Sequence, residues 1–184
     1  MRMAEARVIA VLGAESTGKT TLAAALAGRL AADTGLRCTW VAEWLRGWCE
    51  REGRTPRIDE QAAIAAEQHR RIAAAAAGHD LVVADTSALM TAVYSRLVFG
   101  DASLDEAAVR LHRRDVHLTL VTALDLPWQA DGLQRDGPQV RAPVDALLRT
   151  LLHAHRVPWV LVGGRGDARL DAALAAAAPL LHGG

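Results

Sequence analysis

Five short apolar runs punctuate the chain: Val8–Leu12, Cys38–Ala42, Leu81–Ala84, Val116–Val121 and Val157–Val162. Each has the length of a strand, and helical patterns lie between them. Strands alternating with helices predict an α/β fold of three layers, a five-stranded parallel sheet with helices on both faces. The helices are placed at Lys19–Ala32, Glu43–Glu52, Ile58–Ala77, Ser87–Phe99, Leu104–Arg113, Val140–His155 and Asp167–Leu181. Asp59 and Asp167 suit helix starts, and Gly53 and Gly78 suit stops. The tracts Ala73–Ala77 and Ala175–Ala178 follow helical patterns and consist of the strongest helix former, so they read as helix rather than linker. Trp40 and Trp159 fall inside strands and are assigned to the core. In such sheets ligands collect at the carboxyl ends of the strands, which puts Gly13, Glu43, Asp85, the segment after Val121 and Gly163-Gly164 along one edge.

The first of those strand ends is the most specific. Residues Gly13 to Thr20 read GAESTGKT, directly behind the run Arg7–Leu12 and ahead of a helix-forming stretch. Glycines at both ends of this spacing let a tight loop turn its backbone N–H groups around a polyphosphate, while the next helix aims its positive end at the same anion. The cradle comprises Gly13, Glu15, Ser16, Thr17, Gly18, Lys19, Thr20 and Thr21. Lys19 reaches the β and γ phosphates of ATP, and Thr20 supplies a hydroxyl to Mg²⁺.

Composition narrows the setting. At 184 residues the chain fits one domain spanning residues 1–184. Lys plus Arg and Asp plus Glu both number 21, so no global field draws it to nucleic acid or a membrane. Two cysteines, an acidic residue in the N-terminal stretch and the lack of a long apolar run point to a cytoplasmic chain without signal peptide or membrane span. A homo-oligomer is compatible with all of this.

Residues 123–141 break the α/β pattern with two prolines, two glycines, three aspartates and two arginines, and are read as a mobile cover over the site. A long surface loop is the plainer alternative. Phosphoryl transfer needs a cradle, Mg²⁺, a group for the attacking hydroxyl and cations on the moving phosphoryl. Asp85, ending a strand, is a candidate for the metal or the hydroxyl, with a helix cap as the alternative. Glu43 and Arg46, three residues apart at another strand end, either face the cleft together or form a surface ion pair. Trp44 and Trp128 offer flat faces to a substrate ring, although for each tryptophan alone packing is the better reading. Arg135 and Arg141 either close over the phosphates or stay solvated, and Gly164 with Arg165 suits the nucleotide base. The seven histidines show no metal-ligand spacing.

GAESTGKT followed by Thr-Leu, Val41-Ala-Glu-Trp-x-Arg46, Ile64-Ala-Ala-Glu-Gln68, Val83-Ala-Asp-Thr86 and Leu126-Pro-Trp-Gln-Ala-Asp-Gly-Leu133 together resemble the ribosylnicotinamide kinase domain of NadR-type proteins, over nearly the whole chain. The resemblance implies the nucleoside-kinase branch of the P-loop fold with strand order 2-3-1-4-5. It also implies transfer of the γ-phosphoryl of ATP to the 5′-hydroxyl of nicotinamide riboside, giving nicotinamide mononucleotide for NAD salvage. Glu43 and Asp85 then flank the riboside and the Trp128–Asp131 stretch covers it, with the identity of the base left open. The chain departs from the family at Trp44-Leu45-Arg46-Gly47, where Tyr-Ala-Arg-Glu is common, at Ser87, where an aspartate is common, and at Gln134, where an arginine is common. Because the chain starts at the first kinase strand, it is expected neither to make NAD in a second step nor to bind DNA. Two rivals remain: a kinase for another nucleoside or small hydroxyl compound, and a regulatory module that holds a nucleotide without an acceptor.

Overall fold

A computed structural model describes residues 6–130 and 137–182. In chain order the elements are β1 (Arg7–Leu12), α1 (Lys19–Thr34), β2 (Cys38–Val41), α2 (Trp44–Glu52), α3 (Gln61–Gly78), β3 (Leu81–Asp85), α4 (Ala88–Phe99), α5 (Asp105–Asp115), β4 (Leu118–Thr122), α6 (Arg141–Ala154), β5 (Val160–Val162) and α7 (Asp167–His182). The five strands form one sheet in the order β2-β3-β1-β4-β5, and each neighbouring pair is parallel. This is the architecture and order expected from the sequence.

Period-two alternation along β1 feeds two cores. Ile9 and Val11 join Leu22, Leu26 and Leu30 of α1 and Ala173 and Ala177 of α7 on one face. Ala10 and Leu12 join Leu89 and Val93 of α4 and Leu148 and Leu152 of α6 on the other. With β3 and β4 on either side, β1 is the central strand, so the loop leaving its carboxyl end is held from both flanks.

Three readings of the strands need correction. β4 starts at Leu118 rather than Val116, because the amide of Val8 donates to His117 Nδ1 at 3.1 Å and the ring takes up a main-chain donor at the sheet's rim. β5 starts at Val160 rather than Val157: Pro158 has no N–H for a ladder, and the Val157 amide donates to Leu152 O at 2.9 Å, closing α6 instead. Trp40 is 38% exposed on the edge strand β2 and is not core. Trp159 is half-buried against the α4 and α6 side, with the Arg149 guanidinium 5.2 Å from its ring centre. Among the described residues no helix is long and apolar enough to cross a membrane.

A buried histidine joins α5 to the sheet. His112 is 3% exposed, and its neutral ring, donating from one nitrogen and accepting at the other, bridges Ser87 Oγ at 3.2 Å and Thr119 Oγ1 at 2.8 Å. Burial pushes its pKa down from 6.5 to about 4. The unfolded chain therefore protonates this ring at a pH where the folded protein does not. Its contribution is complete above 6.5 and is lost as the pH falls toward about 4. His112→Gln is expected to show a smaller loss of urea stability than the parent between about pH 7 and about pH 4.5, and equal losses would assign the acid sensitivity to other groups. In the core, Leu26→Ala should cost about 2–5 kcal/mol in the same assay. Val98→Ala, at a site 57% exposed, should stay within about 0.5 kcal/mol.

Candidate active site

The loop from Gly13 to Gly18 follows β1 and opens directly into α1. Gly13 has φ 149°, and a Cβ there would run into Thr122 Oγ1 and lie 3.3 Å from Thr17 Oγ1. That close approach serves a relay: Thr122 Oγ1 donates to Thr17 Oγ1 at 2.6 Å, and Thr17 Oγ1 donates to Ala14 O at 2.7 Å. Gly18, at φ 76°, turns the chain into α1. The first turn of α1 carries no acidic residue, so no carboxylate on that turn offsets the positive end of the helix at the loop.

Lys19 Nζ donates to Ala14 O at 2.8 Å, folding the ammonium back across the loop. Thr20 Oγ1 donates to Asp85 Oδ2 at 2.5 Å, which joins the loop to the end of β3. Asp85 is 1% exposed, and its Oδ1 is buried without a hydrogen-bond partner. Burial raises its pKa, while the bond from Thr20, the charges of Lys19 and Arg46, and the Glu43 amide all act in the opposite direction. The helix-cap role weighed for Asp85 belongs to Ser87, whose Oγ accepts from the Leu89 amide at 3.3 Å. Thr86 between them holds φ 74°, and its buried Oγ1 has no hydrogen-bond partner. This is a strained position of the kind that gathers at functional sites.

Lys19 and Thr20 border a cavity of about 750 Å³, and Asp85 lies behind its lining, joined to it through Thr20. Glu15, Ser16, Thr17, Gly18, Lys19, Thr20 and Thr21 form its floor, and Glu43, Arg46, Cys49, Glu50 and Tyr94 form one wall. Leu126, Pro127, Gln129 and Ala130 form the roof, and Arg165 stands at the far end. Glu43 and Arg46 approach to 4.0 Å, and both line the cavity. A small recess lined by Thr86, Thr91, Gln68 and Met90 adjoins the cavity through Glu43 and Tyr94.

The first half of the 123–141 segment covers the loop: Ser16 Oγ donates to Gln129 O at 2.7 Å and accepts from the Gln129 amide at 3.2 Å. Residues 131–136, and with them the candidates Asp131 and Arg135, lie outside the described residues. Other candidates sit apart from the cavity lining. Trp44 packs beneath two guanidinium groups, Arg71 at 3.9 Å and Arg51 at 4.7 Å from its ring centre. Trp128 is half-buried, with Nε1 sequestered from solvent and without a hydrogen-bond partner. Arg141 begins α6 and is 9% exposed, with Nε and Nη2 lacking hydrogen-bond partners. Gly164 holds φ 93°, and its amide donates to Asp125 at 2.6 Å.

Three residues that the sequence reading passed over matter here. Tyr94, the chain's one tyrosine, lines both the cavity and the recess. Thr122 ends β4 and touches the loop, a role that only the parallel pairing of β1 with β4 reveals. Arg169 is buried at the start of α7, and its spacing held a signal. Positions 169, 173 and 177 make one buried stripe, and an arginine occupies its first place.

Comparison with known proteins agrees with the fold. A family model described as an AAA domain matches residues 8–169. The structure of NadR protein in complex with NR superposes with a TM-score of 0.74 at 23% identity, over 95% of this chain and 51% of that one. NadR protein in complex with NAD and AMP-PNP gives 0.72 at 19% identity, over 95% and 50%. The chain thus spans about half the length of these solved proteins and shares its fold with that half. No curated protein matches the sequence.

The loop geometry makes a direct prediction. Gly13→Ala meets both an unfavourable φ and the Thr122 hydroxyl, so a loss of about 1–3 kcal/mol is expected in urea denaturation. Adding Thr122→Ala should restore only part of it, because the backbone strain stays; full restoration would show that φ costs nothing there.

Proposed function

The chain belongs to the AAA-domain family, and on that premise we propose that it is a small-molecule kinase, transferring the γ-phosphoryl of ATP to the 5′-hydroxyl of nicotinamide riboside to give nicotinamide mononucleotide. The observation that carries the reading is the bond between Thr20 and Asp85 at the edge of a cavity that also receives Lys19, Glu43 and Arg46. A purely regulatory nucleotide site needs no second wall. Here the space continues past the phosphate loop between α2 and α4, where an acceptor fits. Solved NadR proteins, described with NR and with AMP-PNP, share the fold and support the choice of acceptor and donor.

Roles follow from placement. Thr20 Oγ1 and the unpartnered Oδ1 of Asp85 are hard oxygen donors suited to Mg²⁺. Held by these two oxygens, Mg²⁺ would offset the negative charge of the nucleotide phosphates. Lys19 exchanges Ala14 O for the β and γ phosphates. With Asp85 turned to Thr20 and nearly solvent-free, Glu43 on the open wall is assigned to the hydroxyl. As the 5′-oxygen bonds to the γ-phosphorus, the bond from phosphorus to the β–γ bridging oxygen breaks and ADP departs. The hydroxyl proton passes to Glu43. Arg46, Arg135 from the cover and Arg141 from the start of α6 are the cations proposed for the transferring phosphoryl, and Gly164 with Arg165 is proposed for adenine.

For the pyridinium ring, the Tyr94 face and the Glu43 and Glu50 carboxylates supply what a cationic aromatic attracts. Trp44, already stacked by two arginines, is not assigned to it. Trp128 and Asp131 keep the covering role. The covered Trp44 also favours a second reading, a kinase for a neutral nucleoside, since no tryptophan lines the described cavity.

ADP release from Mg-ATP with nicotinamide riboside, thymidine, adenosine, uridine or no acceptor separates these readings. Turnover is expected with the pyridine riboside, and preference for another nucleoside would install the second reading. Lys19→Ala should lower kcat by about 10²-fold or more in a protein that melts normally. Tyr94→Ala should raise the riboside KM about tenfold with little change for ATP, and equal changes in both would make Tyr94 a packing residue.

A further inference from the structure

A charged side chain seldom goes fully inside a protein unless its partners are also inside. Arg169 is 4% exposed, and its three kinds of nitrogen reach three separate loops. Nη1 donates to Thr17 O in the phosphate loop at 2.8 Å, and Nε donates to Gly164 O in the β5–α7 turn at 2.8 Å. Nη2 pairs with the Asp125 carboxylate at the root of the cover. Asp125 closes the triangle by accepting the Gly164 amide at 2.6 Å. None of the cavity's surface comes from Arg169, so it does not meet a ligand there.

We propose that Arg169 is a positioning residue for the nucleotide, acting through the Thr17 carbonyl on the loop's inward-facing amides and through Asp125 on the cover. The inference rests on the nucleotide-binding part of the function proposed above. Its basis is the planarity of the peptide unit. In a trans peptide the C=O of one residue and the N–H of the next point in opposite directions, and there are no cis bonds among the described residues. Holding Thr17 O outward on a buried guanidinium therefore aims the Gly18 N–H at the hollow where a phosphate sits. Gly18 needs this fixing, since φ 76° is a conformation that glycine enters and leaves at little cost. A guanidinium is required because three acceptors in different directions match its planar fork, whereas an ammonium on a flexible stem does not hold them together. Asp125 balances the charge, so the arginine acts by geometry rather than as a second phosphate cation.

The test compares Arg169→Lys and Asp125→Asn with the parent chain, reading Mg-ADP affinity by calorimetry, melting temperature, and KM for ATP and riboside. Arg169→Lys is expected to weaken Mg-ADP binding about tenfold or more and to raise the ATP KM in step, with the riboside KM within about twofold. Asp125→Asn should move the same quantities in the same direction by a smaller factor, and it carries the test should the lysine variant fail to fold. Melting temperatures that fall while nucleotide affinity stays within about twofold of the parent would overturn the proposal and leave Arg169 a structural pin. That result would not touch the kinase reading. A parent chain that binds no Mg-ADP would remove the phosphate cradle and this role with it.

Discussion

A loop that offers its amides to an anion must dispose of its carbonyls elsewhere, and that requirement organises the centre of this molecule. Ala14 O faces two donors, the Thr17 hydroxyl and the Lys19 ammonium. Thr17 O is taken by Arg169, and the Thr17 hydroxyl in turn accepts from Thr122. The donors come from the loop itself, from the start of α1, from β4 beside β1, and from α7. Buried backbone acceptors left unpaired cost about 1–3 kcal/mol each, so these side chains stabilise one loop conformation against others in which the amides would point away.

Because the chain carries equal numbers of acidic and basic residues, attraction for a polyphosphate has to be made locally. The cavity mixes Lys19, Arg46 and Arg165 with Glu15, Glu43 and Glu50, which leaves the fixed dipole of α1 as an important attractive term. That dipole is unopposed by any acid in the first turn of α1. Asp85 adds the complementary condition. Its burial disfavours the charged form, and Thr20, Lys19 and Arg46 favour it. A divalent cation would tip that balance further toward the carboxylate.

Much of the fold was legible because its signals are local. Five apolar runs separated by helical spacing led to the parallel sheet, and Gly13, Gly18, Lys19 and Thr20 announced the loop through their spacing alone. Legibility failed where a side chain's fate depends on its neighbours in space. Trp40 reads as core because tryptophan sits in a strand, although the strand order implied by the resemblance already puts β2 at an edge, where its ring is exposed. Pro158 did announce the late start of β5, but an apolar valine on its other side masked it. Trp44 looked like a substrate platform until α3 brought Arg71 across its face. Arg169 illustrates the intermediate case. Its place in a stripe with Ala173 and Ala177 marks it as buried, but only the sheet order discloses that the burial lies beneath the phosphate loop.

The same geometry couples nucleotide and cover. Asp125 stands at the cover's root on Arg169, Leu126 approaches within 3.1 Å of where a Gly18 side chain would begin, and Gln129 bonds Ser16 in both directions. Each attachment falls on the phosphate loop or on a residue that holds it. The loop and the described part of the cover are therefore held by shared residues. The proposed acceptor wall, with Glu43, Arg46 and Tyr94, is built from α2, α4 and the turn after β2, outside this set. On the function proposed above, donor and acceptor sites therefore rest on different mechanical supports, which are joined where Thr20 of α1 bonds Asp85 at the end of β3.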